Sequence, residues 1–230
     1  MEQSELIDPD WVALTWVTRG IECFFLSFRV SEMNRHSGFD QFLNAMGLEL
    51  ICKGYLLAVH RAEYKDLREK EAKEKVNSLA RNWGHNLRNL IKEIKNNIGN
   101  ETIQPFLEKE FRGFKQKENP HQKNKDLPRT VLSAIEAAYW ESRYPVPHPF
   151  YKDKLFSVDG IEDAYFDPLC SSDIPQFCYE FCRVTLADLK EKYDISLPIS
   201  WFNQKMPGDE GERFGNLLFG ARKKDFFLEN

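Results

Sequence analysis

A chain of 230 residues that is 42% hydrophobic, 13% aromatic and 30% charged has the composition of a soluble globular protein, long enough to bury a sizeable core as one large domain or two small ones. Five cysteines, odd in number and without a C-x-x-C pair, exclude a disulfide framework. The opening MEQSELIDPD is too acidic and polar for a signal peptide, and charges break the apolar stretches before the roughly 18 residues of a membrane span. The expected compartment is therefore the cytoplasm, with no membrane contact.

The net charge of −4 is unevenly spread: residues 61–125 carry sixteen Lys/Arg against ten Asp/Glu, and the segments on either side are acidic. A basic middle third attracts phosphates; blocks of alternating sign such as REKEAKEK equally describe a solvated helix face. In chain order, Asp8-Pro9-Asp10 supplies the N-cap of a first helix that runs to about Val30. NRHSG punctuates. From Phe39 a second helix begins, with Phe39, Phe42, Leu43, Met46, Leu50 and Leu57 at roughly helical spacing. It is expected to continue through LLAVHRAEYKDLREKEAKEK, turning polar and leaving the core.

NLRNLIKEIKNNIG is the clearest helix, with Leu87, Leu90, Ile91, Ile94 and Ile98 in one stripe and Gly99 as the stop. Residues 115–128, KQKENPHQKNKDLP, read as a lysine-rich loop. Leu132, Ile135, Ala138 and Tyr139 then mark an amphipathic helix, which the RYP corner ends because Pro145 disfavours a helical Tyr144. An irregular FSVDGIEDAYFDPLCSSD leads to a helix with Ile174, Phe177, Cys178, Phe181 and Leu189 facing inward. The tail carries Trp201, Phe202, Phe214, Leu217, Leu218 and Phe219, too much apolar surface to hang free. The expected fold is all-α: an up-and-down bundle of four to five long helices with a docked, irregular C-terminal extension.

Three local patterns carry the chemistry. In LELICKGYLLAV, Glu49 and Lys53 lie one turn apart inside an apolar helix, acid before base, so the pair is partly buried or borders a groove. In WGHNLRNL, His85 stands just ahead of a helix, where it either meets an anion or satisfies backbone groups at the helix start. In YWESRYPVPHPF, Arg143 closes a helix and His148 follows it after four residues. Cys178 and Cys182 have i, i+4 spacing, but no further ligand is near them in sequence, so they read as core residues and no metal or cofactor is expected.

Taken in order, E-x-x-x-K on a helix, then G-H-N-L-x-x-L, then a helix ending in R-Y-P, the chain resembles the HEPN family (higher eukaryotes and prokaryotes nucleotide-binding) over residues 39–190. One helical domain is expected over residues 1–195, with 196–230 as an extension packing on the bundle or on a partner. The resemblance implies a homodimer and a nucleotide or RNA ligand, in a toxin–antitoxin or defence setting that often adds a partner nucleotidyltransferase. Glu49, Lys53, Arg81, His85 and Tyr144 are the candidates for holding that ligand or its phosphate.

Ribonuclease members of the family carry R-x(4–6)-H at the start of a helix, and two copies meet across a dimer. Arg143 and His148 match the spacing, and in that role His148 would be the general acid or base and Arg143 would stabilise charge on the phosphate. Here the intervening residues are YPVP. Alternating prolines favour an extended path on which the two residues lie about 15 Å apart, so they do not share a helix face. The expectation is a non-catalytic binding protein. Beside it stand a metal-independent RNA endonuclease and a plain scaffold or oligomerisation protein without ligand.

Overall fold

The computed structural model describes residues 6–33, 39–111, 130–143 and 172–228. Nine α-helices are formed among them: α1 Pro9–Met33, α2 Phe39–Val59, α3 Glu69–Asn82, α4 Leu87–Ile98, α5 Asn100–Glu108, α6 Val131–Arg143, α7 Asp173–Tyr193, α8 Ile199–Lys205 and α9 Gly208–Phe219. The described residues hold no strand, only three isolated β-bridges, and the all-α expectation stands. The lysine-rich loop 115–128, the corner beyond Arg143 and the irregular stretch before α7 lie outside the described residues.

α1 begins as the sequence predicts: Asp8 Oδ1 accepts from the backbone N–H groups of Asp10 (3.0 Å) and Trp11 (3.3 Å), with Pro9 at the first helical position. It packs along α2 through glycines. A Cβ on Gly20 would lie 2.7 Å from the Gly47 carbonyl oxygen, and one on Gly54 would lie 2.7 Å from the Val17 side chain. With nothing larger than hydrogen at these points the two backbones touch, and Ala13, Val17, Phe24, Leu48 and Ile51 bury against one another.

α2 is the centre of the molecule, packed by α1, α4, α6 and α7. Contrary to the sequence expectation that charges cut every apolar stretch short of a membrane span, α2 is long and apolar enough to cross a bilayer, but most of it is buried inside the fold. Packing against protein accounts for its apolar character.

The second helix does not run on into the charged segment. It stops at Val59, a 3-10 turn spans Arg61–Glu63, and α3 starts afresh at Glu69. The turn is pinned inward: Tyr64 is fully buried and donates to the Leu57 carbonyl (2.9 Å), while Arg61 pairs with Asp10 (3.0 Å) and lies over the Tyr193 ring. Nor does α3 leave the core, because Ala72, Val76 and Ala80 at one-turn spacing bury a narrow stripe. α5 was not expected; it buries Ile103 and Leu107 and sets Phe106 edge-on to Phe177 and Phe181.

The C-terminal segment packs on the bundle as expected but is helical, not irregular. Phe214 on α9 meets Phe25 and Phe28 of α1 and Tyr179 of α7. Phe202, Phe219, Phe226 and Phe227 cluster beside it, and Arg183 donates to the Leu217 and Leu218 carbonyls. The Leu217 side chain is exposed rather than docked.

Candidate functional site

Glu49 on α2 collects the polar groups of three other positions. Its Oε1 lies 2.9 Å from Lys53 Nζ and 2.9 Å from His85 Nδ1, and its Oε2 accepts from the Tyr139 hydroxyl at 3.0 Å. Helix pitch explains the first contact, since residues 49 and 53 are successive turns of one face. The α3–α4 turn brings His85 over that face, and α6, lying along α2, brings Tyr139. The Glu49 and Lys53 side chains are 9% and 5% exposed, and the His85 side chain is 53% exposed. The site is thus a buried ion pair with one histidine reaching solvent.

Burial alone would raise the Glu49 carboxyl pKa, but the hydrogen bonds and charges of Lys53 and then His85 outweigh it, leaving the group below its ordinary value. Glu49 is therefore an anion at neutral pH. Its two oxygens spread over three donors, which is how a buried charge is made tolerable.

Tyr139 also ends a row of rings. Phe42 stacks on it (5.7 Å, 13° between planes), and Phe39 stacks on Phe42 (6.0 Å, 25°). Phe39 opens α2 and is 53% exposed, so the row runs from solvent to the Glu49 carboxylate.

The start of α4 beside His85 is filled by the protein itself. The Asn86 side chain accepts from Asn89 N–H (2.9 Å), and the Glu136 carboxylate accepts from Arg88 N–H (3.1 Å). The Arg88 guanidinium turns to Thr130 and Ser133. The helix N-terminus thus already holds an internal anion, Glu136.

Of the residues singled out in the sequence, Glu49, Lys53 and His85 come together. Arg81 does not: it is exposed in the last turn of α3 and makes no hydrogen bond or ion pair to Glu49. Tyr144 and His148 lie outside the described residues, as does the side chain of Arg143; the α6 backbone places position 143 one turn beyond Tyr139. Tyr139 is the member that the sequence hid. It reads as one more apolar position on an amphipathic stripe, and the only hint is that a buried tyrosine hydroxyl requires a partner.

Cys178 and Cys182 are fully buried with their thiols pushed up by desolvation. Among the described residues no group of three or more His, Cys, Asp or Glu side chains is arranged to hold a metal. A separate cleft of about 650 Å³ lies between α1 and α3, walled by Trp11, Trp16, Glu69, Lys73 and Val76. It shares no residue with the Glu49 cluster. No family model, curated protein or solved structure matches the chain.

Proposed function

We propose that this chain is a HEPN-like helical protein that binds a nucleotide, or the equivalent phosphate–base unit of an RNA strand, without cutting it. The observation that carries this reading is the convergence of Glu49, Lys53, His85 and Tyr139 from three parts of the chain on one carboxylate. A scaffold has no need to bury an ion pair and then lead a histidine from it to solvent, since apolar residues of the same size stabilise a core at least as well. The stacked rings from Phe39 to Tyr139 offer a face to a base, and every base has a π-face to stack. Along the sequence, residues 61–125 carry a cationic surplus, which suits a phosphate. The HEPN resemblance adds a homodimer, a partner nucleotidyltransferase and a toxin–antitoxin or defence setting.

The test is calorimetric titration with ATP, AMP and UMP. Wild type binds at least one of them. Phe39→Ala, at an exposed ring, weakens binding about fivefold or more, as loss of a base–aromatic stack does. A double variant Glu49→Leu/Lys53→Met weakens it further while staying folded. No heat from any nucleotide, or equal affinity in all three proteins, contradicts the proposal.

A further inference from the structure

The four residues Trp83, Gly84, His85 and Asn86 join α3 to α4 and make two contacts, one with α2 and one with His60 just past its end. The Trp83 ring lies 5.6 Å from the His60 ring, and His85 Nδ1 lies 2.9 Å from Glu49 Oε1. Positions 49 and 53 share one face of α2, one turn apart, and His60 follows the last residue of that helix, Val59. Lys53 Nζ and His85 Nδ1 meet the same carboxylate oxygen, each at 2.9 Å. The lysine side chain is 5% exposed and the histidine 53%, so the histidine stands on the solvent side of the pair.

Between the two pins the loop has a pivot. Gly84 has φ +67, and a Cβ there would meet nothing within 4 Å. Glycine is needed for the left-handed backbone, not to relieve crowding. The backbone anchors are local: the Trp83 and Gly84 N–H groups donate to the Leu79 and Arg81 carbonyls. His60, in turn, pairs with Glu63 (2.7 Å), whose other oxygen holds Lys75 (2.7 Å). The Trp83 ring thus borders this surface cluster while packing, half-buried, on the core, whereas the His85 side chain reaches solvent.

We infer that the 83–86 loop is a hinged cover on the buried Glu49–Lys53 pair, with His85 as the pin that lifts and Trp83 as the pin that holds the far end. In the described state the cover is closed. When it swings on Gly84, Glu49 keeps Lys53 and Tyr139, so the carboxylate is not stranded, and the ammonium becomes accessible to an incoming phosphate. This inference concerns regulation of the site proposed above and rests on that reading for its purpose. The motion itself requires no ligand.

Lysine acylation, quantified for each residue by peptide mass spectrometry, tests it without any nucleotide present. In wild type Lys53 reacts at least tenfold more slowly than exposed Lys70 on α3. Trp83→Ala touches neither Glu49 nor Lys53, yet it raises the Lys53 rate severalfold by freeing the far end of the loop. His85→Ala raises it further, and His85→Gln, which keeps a donor for Glu49, leaves it near wild type. Amide exchange in α2 is followed in parallel, so that the comparison is made on folded protein. An unchanged Lys53 rate in Trp83→Ala overturns the inference, as does a rise that merely follows faster exchange throughout α2. Slow labelling released by Trp83→Ala alongside no nucleotide binding would sink the proposed function and leave the cover intact; nucleotide binding with a Lys53 rate indifferent to Trp83 does the reverse.

Discussion

Glu49 is the residue on which the account turns. Removing Lys53 leaves its carboxylate in the core with only His85 and Tyr139, so Lys53→Ala is expected to cost about 3–5 kcal/mol by chemical denaturation. Glu49→Leu/Lys53→Met removes both charges at similar volume and is expected to fall within about 1.5 kcal/mol of wild type. If Lys53→Ala behaves like a surface substitution, the pair does not matter energetically. The same carboxyl sets a pH dependence. Its folded pKa lies below the ordinary value of 4.5, so near and below that value the unfolded chain binds the proton more readily than the folded one. The stabilisation is therefore complete at neutral pH and erodes as pH falls below about 4.5 towards the folded value. Denaturation measured from pH 7 to pH 3 should lose stability more steeply in wild type than in Glu49→Gln; parallel slopes would show that Glu49 does not titrate in this way. The pair was legible in the sequence because its spacing is local and its flanks are apolar. Tyr139 was not, because its partner lies 90 residues away, and only the packing of α6 on α2 joins them.

At the scale of elements, the α1–α2 contact is the one most exposed to small changes. A Cβ on Gly47 would lie 2.6 Å from the Phe24 ring and 2.7 Å from the Gly20 carbonyl oxygen. Neither atom has room to retreat, so Gly47→Ala is expected to destabilise by about 1–3 kcal/mol through overpacking, despite the better helix propensity of alanine. Thermal unfolding followed by circular dichroism reads this directly, and a stabilised variant would show that the helices have slack. The sequence indicates the helices but not this contact, since glycines inside a helix pattern read only as weak positions. The break after Val59 was missed for a related reason. The charged segment has unbroken helix propensity, and what stops the helix is Tyr64 burying itself under α2 and Arg61 reaching Asp10 and Tyr193. Propensity lost to tertiary contacts there. α4 is legible in the sequence because its stripe and its stop are local: the leucine–isoleucine face and Gly99.

For the whole molecule, the claim is that a helical bundle has been built around a charged centre in order to hold a ligand, and that the proline-rich corner after α6 does not make it a nuclease. Both halves of that claim meet in one experiment. Labelled single-stranded RNA is incubated with the protein and a chelator, then examined for retention on a native gel and for length on a denaturing one. Wild type is expected to retain the strand and Glu49→Leu/Lys53→Met to release it, with the RNA intact in every lane. RNA cut by wild type and spared by both Arg143→Ala and His148→Ala, with those variants still folded, would contradict the claim and make the chain an endoribonuclease.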